Sequence, residues 1–135
     1  MILIDTPIWS LAFRRANSDS TPIVNELTEL IKNGQAKIIG PIRQEILSGY
    51  SDHKKFKTLK EKLDAFPNIP IEDQDYIIGA EFNNNCRVAG IQGSHIDFLI
   101  CSVASRLKMP IFTTDKDFER YSECLPIKIY KMKFG

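Results

Sequence analysis

Four acidic residues, Asp5, Glu45, Asp97 and Asp115, are far apart in the chain, yet each falls where a strand ends or a helix begins. Carboxylates brought within a few ångströms repel one another, and some stay protonated unless a cation supplies counter-charge. An all-oxygen set with no supporting His or Cys cluster selects a hard divalent ion, Mg²⁺ or Mn²⁺. Such an ion polarises a phosphoryl oxygen and activates water, so a phosphodiester is the natural substrate class for this pattern.

The elements that must position these acids follow from the hydropathy pattern. Ile2-Leu3-Ile4 predicts a strand that ends at Asp5, and Pro7 opens a short helix to about Phe13. Asn17 to Thr21 reads as a turn. Pro22 to about Lys32 is a helix with Ile23, Leu27, Leu30 and Ile31 on one face, stopped by Asn33-Gly34. Lys37-Ile38-Ile39 is a second strand, and Gly40-Pro41 starts a helix carrying Glu45 to about Gly49. A lysine-rich helix from Asp52 to Phe66 buries Phe56, Leu59 and Leu63, and Asn68 to Ile71 is extended. The helix from Glu72 to Val88 uses Tyr76, Ile77, Ala80 and Cys86. The helix from Ser94 to Leu107 uses Ile96, Leu99, Ile100, Val103 and Leu107. Pro110 to Thr113 and Ile127 to Tyr130 are the fourth and fifth strands.

This alternation predicts one α/β domain over residues 1–135, a three-layer α/β/α sandwich around a mostly parallel, about five-stranded sheet. Ligands of such folds sit beyond the carboxyl ends of the strands. Asp5 and Asp115 follow strands one and four, and Glu45 lies about one turn into the helix leaving strand two. Asp97 begins a helix that runs antiparallel to strand four, which returns it to the same edge. Each acid also has a plainer reading. Asp115 can cap the helix starting near Lys116. Asp97, three residues after Ser94, fits a capping-box variant, and Glu45 can be a solvated helix residue. Asp5, directly after three apolar residues, is the hardest to explain without a partner.

Bulk properties narrow the classes. The chain has 135 residues, 43% of them hydrophobic, which suffices for one packed core. Its net charge of +1 provides no global basic field, so nucleic-acid binding must use local patches or metal. Cys86, Cys101 and Cys124 show no CxxC spacing and suit a reducing compartment. The N-terminus lacks the pattern of a signal peptide, and no run approaches the ~20 apolar residues of a membrane span. The expectation is a soluble cytoplasmic protein.

At this point the chain resembles the PIN-domain ribonucleases, specifically the VapC-type toxins of bacterial toxin–antitoxin pairs. Ile4-Asp5-Thr6 followed by Trp9 resembles the family's opening motif, and Arg43-Gln44-Glu45-Ile46-Leu47 its helix glutamate. Cys86-Arg87-Val88-Ala89-Gly90 is similar to the stretch that often precedes the central Asp. Ile96-Asp97-Phe98-Leu99-Ile100 with Ala104 resembles the central Asp segment, and Thr113-Thr114-Asp115-Lys116-Asp117-Phe118 the Thr-x-Asp-x-Asp-Phe signature. The resemblance implies a cytosolic Mg²⁺- or Mn²⁺-dependent endoribonuclease, often a homodimer, inhibited by a cognate antitoxin. It implies a single-stranded or looped RNA substrate, frequently tRNA or ribosomal RNA.

On this reading Asp5, Asp97 and Asp115 hold metal, Asp117 assists, and Glu45 orients or deprotonates the attacking water. Thr6 and Thr113 serve as supporting hydroxyls or as ordinary turn and strand-end residues. Arg14, Arg15 and Arg43 are candidate phosphate contacts. Lys54, Lys55, Lys57, Lys60 and Lys62 read first as a solvated helix face. Trp9, Phe13, Phe118 and Tyr121 read first as core or interface rather than as base-stacking platforms. Ile8, Trp9, Ala12 and Phe13 form a stripe that packs in the core or helps form an antitoxin groove. Two rivals remain. A phosphatase with an aspartyl nucleophile would need Asp-x-Asp after strand one, where Pro7 stands instead. A PIN-like module that binds RNA or protein without catalysis would retain the fold.

Overall fold

The computed structural model describes residues 1–14 and 21–133. Three parallel strands form its sheet: β1 (Ile2–Ile4), β2 (Ala36–Lys37) and β3 (Ile111–Phe112), in the order β2-β1-β3. Central β1 is paired on both sides, and Leu3 and Ile4, on opposite faces, are both fully buried, which is why it reads as an unbroken apolar run rather than an alternating one. Single parallel bridges extend the sheet at each edge, Ile38 to Asn68 beyond β2 and Ile111 to Ile129 beyond β3. The five extended segments expected are therefore present, and among the described residues three of them form strands and two join by single bridges.

Among the described residues seven helices surround the sheet: α1 (Thr6–Arg14), α2 (Pro22–Lys32), α3 (Gly40–Ser48), α4 (His53–Leu63), α5 (Asp73–Val88), α6 (His95–Leu107) and α7 (Asp117–Cys124). α1 packs on α2 and α3, α3 on α4, and α5 on α6 and α7. Their starts are written locally. Thr21 accepts a hydrogen bond from the Val24 amide and Pro22 occupies the first turn of α2. Asp52 accepts from the Lys55 amide at the start of α4, and Ser94 from the Asp97 amide at the start of α6.

The core runs along the sheet: Leu3, Ile4, Ile38, Ile39, Ile111 and Phe112 are buried, with Ile8 and Trp9 of α1 against them. Trp9 donates its indole N–H to the Ile4 carbonyl (3.0 Å) and meets Phe66 edge-on. Phe118 and Tyr121 of α7 are likewise buried, so these aromatics are core. The apolar stripe expected on α5 is rotated. Tyr76 and Ile77 are more than half exposed and Ala80 is exposed, while Asp75, Gly79, Phe82 and Cys86 face inward. On α4, Leu59 and Leu63 are buried as expected, whereas Phe56 is exposed; on α6, Ile96 and Leu107 are exposed. No helix among the described residues is long and apolar enough to cross a membrane.

From β1 the chain winds outward through α1 and α2 to β2, then through α3 and α4 to the extended residue Asn68. It returns through α5 and α6 to β3 on the other side of β1. The winding direction thus reverses between β1 and β3, and a crevice opens at the carboxyl ends of two strands that diverge there.

Candidate active site

Asp5 sits at this reversal point, immediately after β1. Its own amide pairs with the Phe112 carbonyl (2.9 Å), and its carbonyl receives the amide of Ile8 in the first turn of α1. This double backbone role fixes the residue, and with 5% exposure its carboxylate is almost wholly out of water. Oδ1 accepts from the Thr6 amide (2.9 Å), and Oδ2 from the Thr113 hydroxyl (2.8 Å), which β3 delivers from across the crevice. Thr113 Oγ1 in turn accepts from the Asp115 amide (3.0 Å), so one hydroxyl ties Asp5 to the loop carrying Asp115.

Burial pushes the Asp5 carboxyl up to about 6. The Thr113 and Thr6 hydrogen bonds pull against that rise, while the negative charges of Asp97 and Glu45 add to it. The charges of Glu45 on α3 and Asp97 on α6 thus reach Asp5 across the crevice. Among the described residues, no Lys or Arg forms an ion pair with Asp5, Glu45, Asp97, Asp115 or Asp117.

Asp97 is half-buried in the first turn of α6. Ser94 caps its amide, but the reciprocal half of a capping box is absent. The Asp97 carboxylate instead accepts the Tyr121 hydroxyl (2.6 Å). Burial first, then this hydrogen bond, pushes the Tyr121 hydroxyl far up, with the charges of Asp117 and Asp115 contributing. Tyr121 therefore stays a donor and turns Asp97 toward α7. Gly93 leaves room for this ring: a Cβ there would lie 2.7 Å from Tyr121 Cζ and 2.9 Å from Cε1. Sequence reasoning missed both roles. Tyr121 carried only the signature of a core aromatic, and Gly93 only that of a loop.

Asp115 takes the capping reading in part: its Oδ1 accepts from the Asp117 amide (2.9 Å) in the first turn of α7. Glu45 and Asp117 are exposed. The arginines differ from expectation. Arg43 does not reach the rim: Nε donates to Asn68 Oδ1 and Nη1 to the Leu63 carbonyl (both 2.9 Å), and Nη2 donates to the Phe66 carbonyl. A guanidinium with three protein acceptors holds the end of α4 against α3 and is not free for a phosphate. Arg14 ends α1, about 12 Å along the helix axis from Thr6 at 1.5 Å per residue. Arg15 lies outside the described residues.

The donors suit a hard cation in kind: carboxylate oxygens without cationic partners, beside the Thr6 hydroxyl, which is buried without a hydrogen-bond partner. Their spacing is open, since among the described residues no three His, Cys, Asp or Glu side chains form a closed ligand set.

A doubly wound parallel sheet with an uncompensated acidic crevice at its reversal point defines the class: an α/β domain with a carboxylate site at its carboxyl edge. The chain belongs to the PIN domain family, whose model matches residues 2–123. It is 33% identical over 123 residues to Ribonuclease VapC11 of Mycobacterium tuberculosis, covering 88% of this chain and 90% of that protein. A VapC ribonuclease of Mycobacterium bovis matches equally. Among solved structures, FitAcB from Neisseria gonorrhoeae has a TM-score of 0.76 at 19% identity, with 97% of each chain covered. VapBC2 from Rickettsia felis, bound to a promoter DNA fragment, has a TM-score of 0.75 at 17% identity, with 96% of this chain and 98% of that one covered.

Proposed function

We propose that this protein is an endoribonuclease that hydrolyses RNA phosphodiester bonds with Mg²⁺ or Mn²⁺. We further propose that it is the toxin of a type II toxin–antitoxin pair, acting in the cytoplasm as a homodimer on tRNA or ribosomal RNA until a cognate antitoxin binds it. The observation that carries this reading is Asp5, a carboxylate buried at the sheet's reversal point, surrounded by further acids and given no cation. The VapC relatives, ribonucleases by name, support it.

In this mechanism Asp5, Asp97 and Asp115 would hold the ion, with Asp117 at the exposed side. When bound, the ion polarises a phosphoryl oxygen and lowers the cost of forming hydroxide from water. Glu45, exposed and not committed to a cap, takes the proton of the attacking water. Thr113 keeps Asp5 aimed into the crevice, and Tyr121 does the same for Asp97. The Thr6 hydroxyl is available to an oxygen of the substrate or of a bound water.

The test is incubation of the purified chain with labelled RNA and Mg²⁺ or Mn²⁺, with EDTA and Asp97→Asn as controls. Cleavage by the wild type alone, abolished by EDTA, is the expected result; no cleavage with either ion overturns the proposal. The open spacing of the acids favours one second reading, a PIN-like module that binds RNA or protein without catalysis. Retained RNA binding with no hydrolysis would select it.

A further inference from the structure

Helix α5 packs on α6 and α7, and each of the three carries one cysteine. Cys86 lies in the last turn of α5, fully buried in the core. Cys101 lies within α6, about one turn beyond Asp97, and is equally buried. Cys124 closes α7 and is half-buried. All three are free thiols.

Two of them meet. The Cys86 side chain is hydrogen-bonded to Cys124 across the α5–α7 contact. Cys124 in turn donates its S–H to the Tyr121 carbonyl at 3.5 Å, which leaves its sulfur as the acceptor for Cys86. Environment then sorts the three by reactivity. Burial, and after it the Cys124 thiol, pushes Cys86 up to about 12; burial pushes Cys101 up as well, with the charge of Asp97 adding to the rise. The thiolate is the form that attacks an oxidant, and these two groups are protonated at neutral pH. Cys124 is the one of the three that solvent reaches.

We propose that Cys86 and Cys124 are a thiol pair that a hydroperoxide converts reversibly to a disulfide, and that this bond takes the Tyr121 hydroxyl off Asp97. The Cys124 thiolate attacks one oxygen of hydrogen peroxide and becomes a sulfenic acid; the released hydroxide takes up the thiol's proton as water. The Cys86 sulfur then displaces the hydroxyl of the sulfenic acid, which leaves as a second water with the Cys86 proton. Two thiols lose two electrons and one peroxide becomes two waters. The second step is intramolecular, and contact offsets the small thiolate fraction of Cys86. A reducing dithiol reverses the bond by exchange.

A disulfide holds its sulfurs about 2.05 Å apart, closer than hydrogen-bonded thiols, so one helix has to move. Cys86 is fixed in the core, whereas Cys124 is at the half-buried end of α7, so α7 gives. Tyr121 stands three residues before Cys124 on the same helix, with its ring against Gly93 and its hydroxyl on Asp97. The disulfide rests on the thiols alone; its consequence for cleavage rests on the nuclease reading.

The test treats the native full-length protein with hydrogen peroxide, unfolds it in excess iodoacetamide and digests it with trypsin without reductant. Cuts after Lys62, Arg87, Arg106, Arg120 and Lys128 put the three cysteines on separate peptides, residues 63–87, 88–106 and 121–128. The expected product joins 63–87 to 121–128, leaves 88–106 alkylated and comes apart in dithiothreitol. Neither Cys86→Ser nor Cys124→Ala protein should give it. Sulfinic acid at Cys124, a link through Cys101 or a link between two chains overturns the pair. Oxidation should also lower RNA cleavage several-fold, dithiothreitol should restore it, and Cys124→Ala and Tyr121→Phe should not respond. A linked protein as active as the reduced one overturns the effect on Tyr121. A wild type that forms the linked peptides yet cleaves no RNA in any divalent ion upholds the thiol pair and removes the nuclease reading.

Discussion

Two aspartates among the described residues are almost fully buried, and they are treated in opposite ways. Asp75, 1% exposed on α5, receives Arg106 of α6 through Nε to Oδ1 (2.8 Å) and Nη2 to Oδ2 (2.9 Å). It also closes a capping box with the Glu72 amide. Those bonds hold its carboxyl below the ordinary range. Asp5 is 5% exposed, accepts from one amide and one hydroxyl, and has no cation; its carboxyl is raised to about 6. Asp75 is a structural acid, neutralised by the fold itself. Asp5 is left with a charge deficit that the fold does not meet, at the one place where the sheet reverses. The fold thus neutralises one buried aspartate fully and leaves the other without a cation at the sheet's reversal point, which is where the proposed function starts.

The comparison breaks most visibly in activity. Asp5→Asn keeps the shape and one acceptor oxygen but removes the charge. It should lower RNA cleavage at least 1,000-fold, about 4 kcal/mol in the barrier. Single-turnover rates at saturating Mn²⁺ check this; an active Asp5→Asn protein would remove Asp5 from the site. Arg106→Ala attacks the other aspartate. Leaving Asp75 buried without its partner should cost about 3 kcal/mol of stability, seen as a melting temperature lower by roughly 10 °C. Cleavage per folded molecule should be unchanged. A variant that melts normally would show that Asp75 is not held by this pair.

How much of this is legible in the sequence follows the same division. β1 with its terminal Asp, the cap at Ser94 and the bounds of α2 are written within a few residues of one another, and local chemistry finds them; the caps at Thr21 and Asp52 are not among the expectations, although their signal is equally local. The four acids could be placed on one edge because strand ends and helix starts fix their height in an α/β fold. The inward face of α5 could not be found this way. Its stripe of Asp75, Gly79, Phe82 and Cys86 contains a charge and a glycine, so a hydropathy reading selects Tyr76 and Ile77 instead. What buries Asp75 is Arg106, 31 residues away, and what Gly79 faces is the backbone of α6, at ordinary contact distance (3.5 Å) from where a Cβ would lie. The role of Arg43 is hidden for the same reason, because its acceptors are carbonyls at the far end of α4.

Acid titration sharpens the contrast, because the two aspartates should give slopes of opposite sign. Asp75, with its depressed value, contributes stability above the ordinary carboxylate pKa and loses it as pH falls through the folded value. Asp5, with its raised value, opposes folding once it ionises. In metal-free protein its penalty should grow from about pH 4 to about pH 6 and then stay constant. At pH 7 Asp5→Asn should therefore be more stable than wild type by about 2–3 kcal/mol, from a shift of roughly two pKa units. The difference should vanish near pH 4. Melting curves of both proteins across that range decide it; a gap independent of pH would mean that Asp5 ionises freely. Millimolar Mn²⁺ should raise the melting temperature of the wild type and not of Asp5→Asn.

The smallest expected effect concerns how Asp97 is held. Tyr121→Phe removes one hydroxyl from a half-exposed carboxylate, which should cost about 1 kcal/mol and lower cleavage several-fold. Gly93→Ala should do the same from the other side, since its Cβ would force the Tyr121 ring off its position. If both act through the orientation of Asp97, their effects on cleavage must not add. Gly93→Ala should lower the rate in the wild type and change it little in the Tyr121→Phe background, where there is no hydrogen bond left to lose. Additive losses would show that Gly93 acts on the loop itself and that Asp97 does not depend on Tyr121 for its aim.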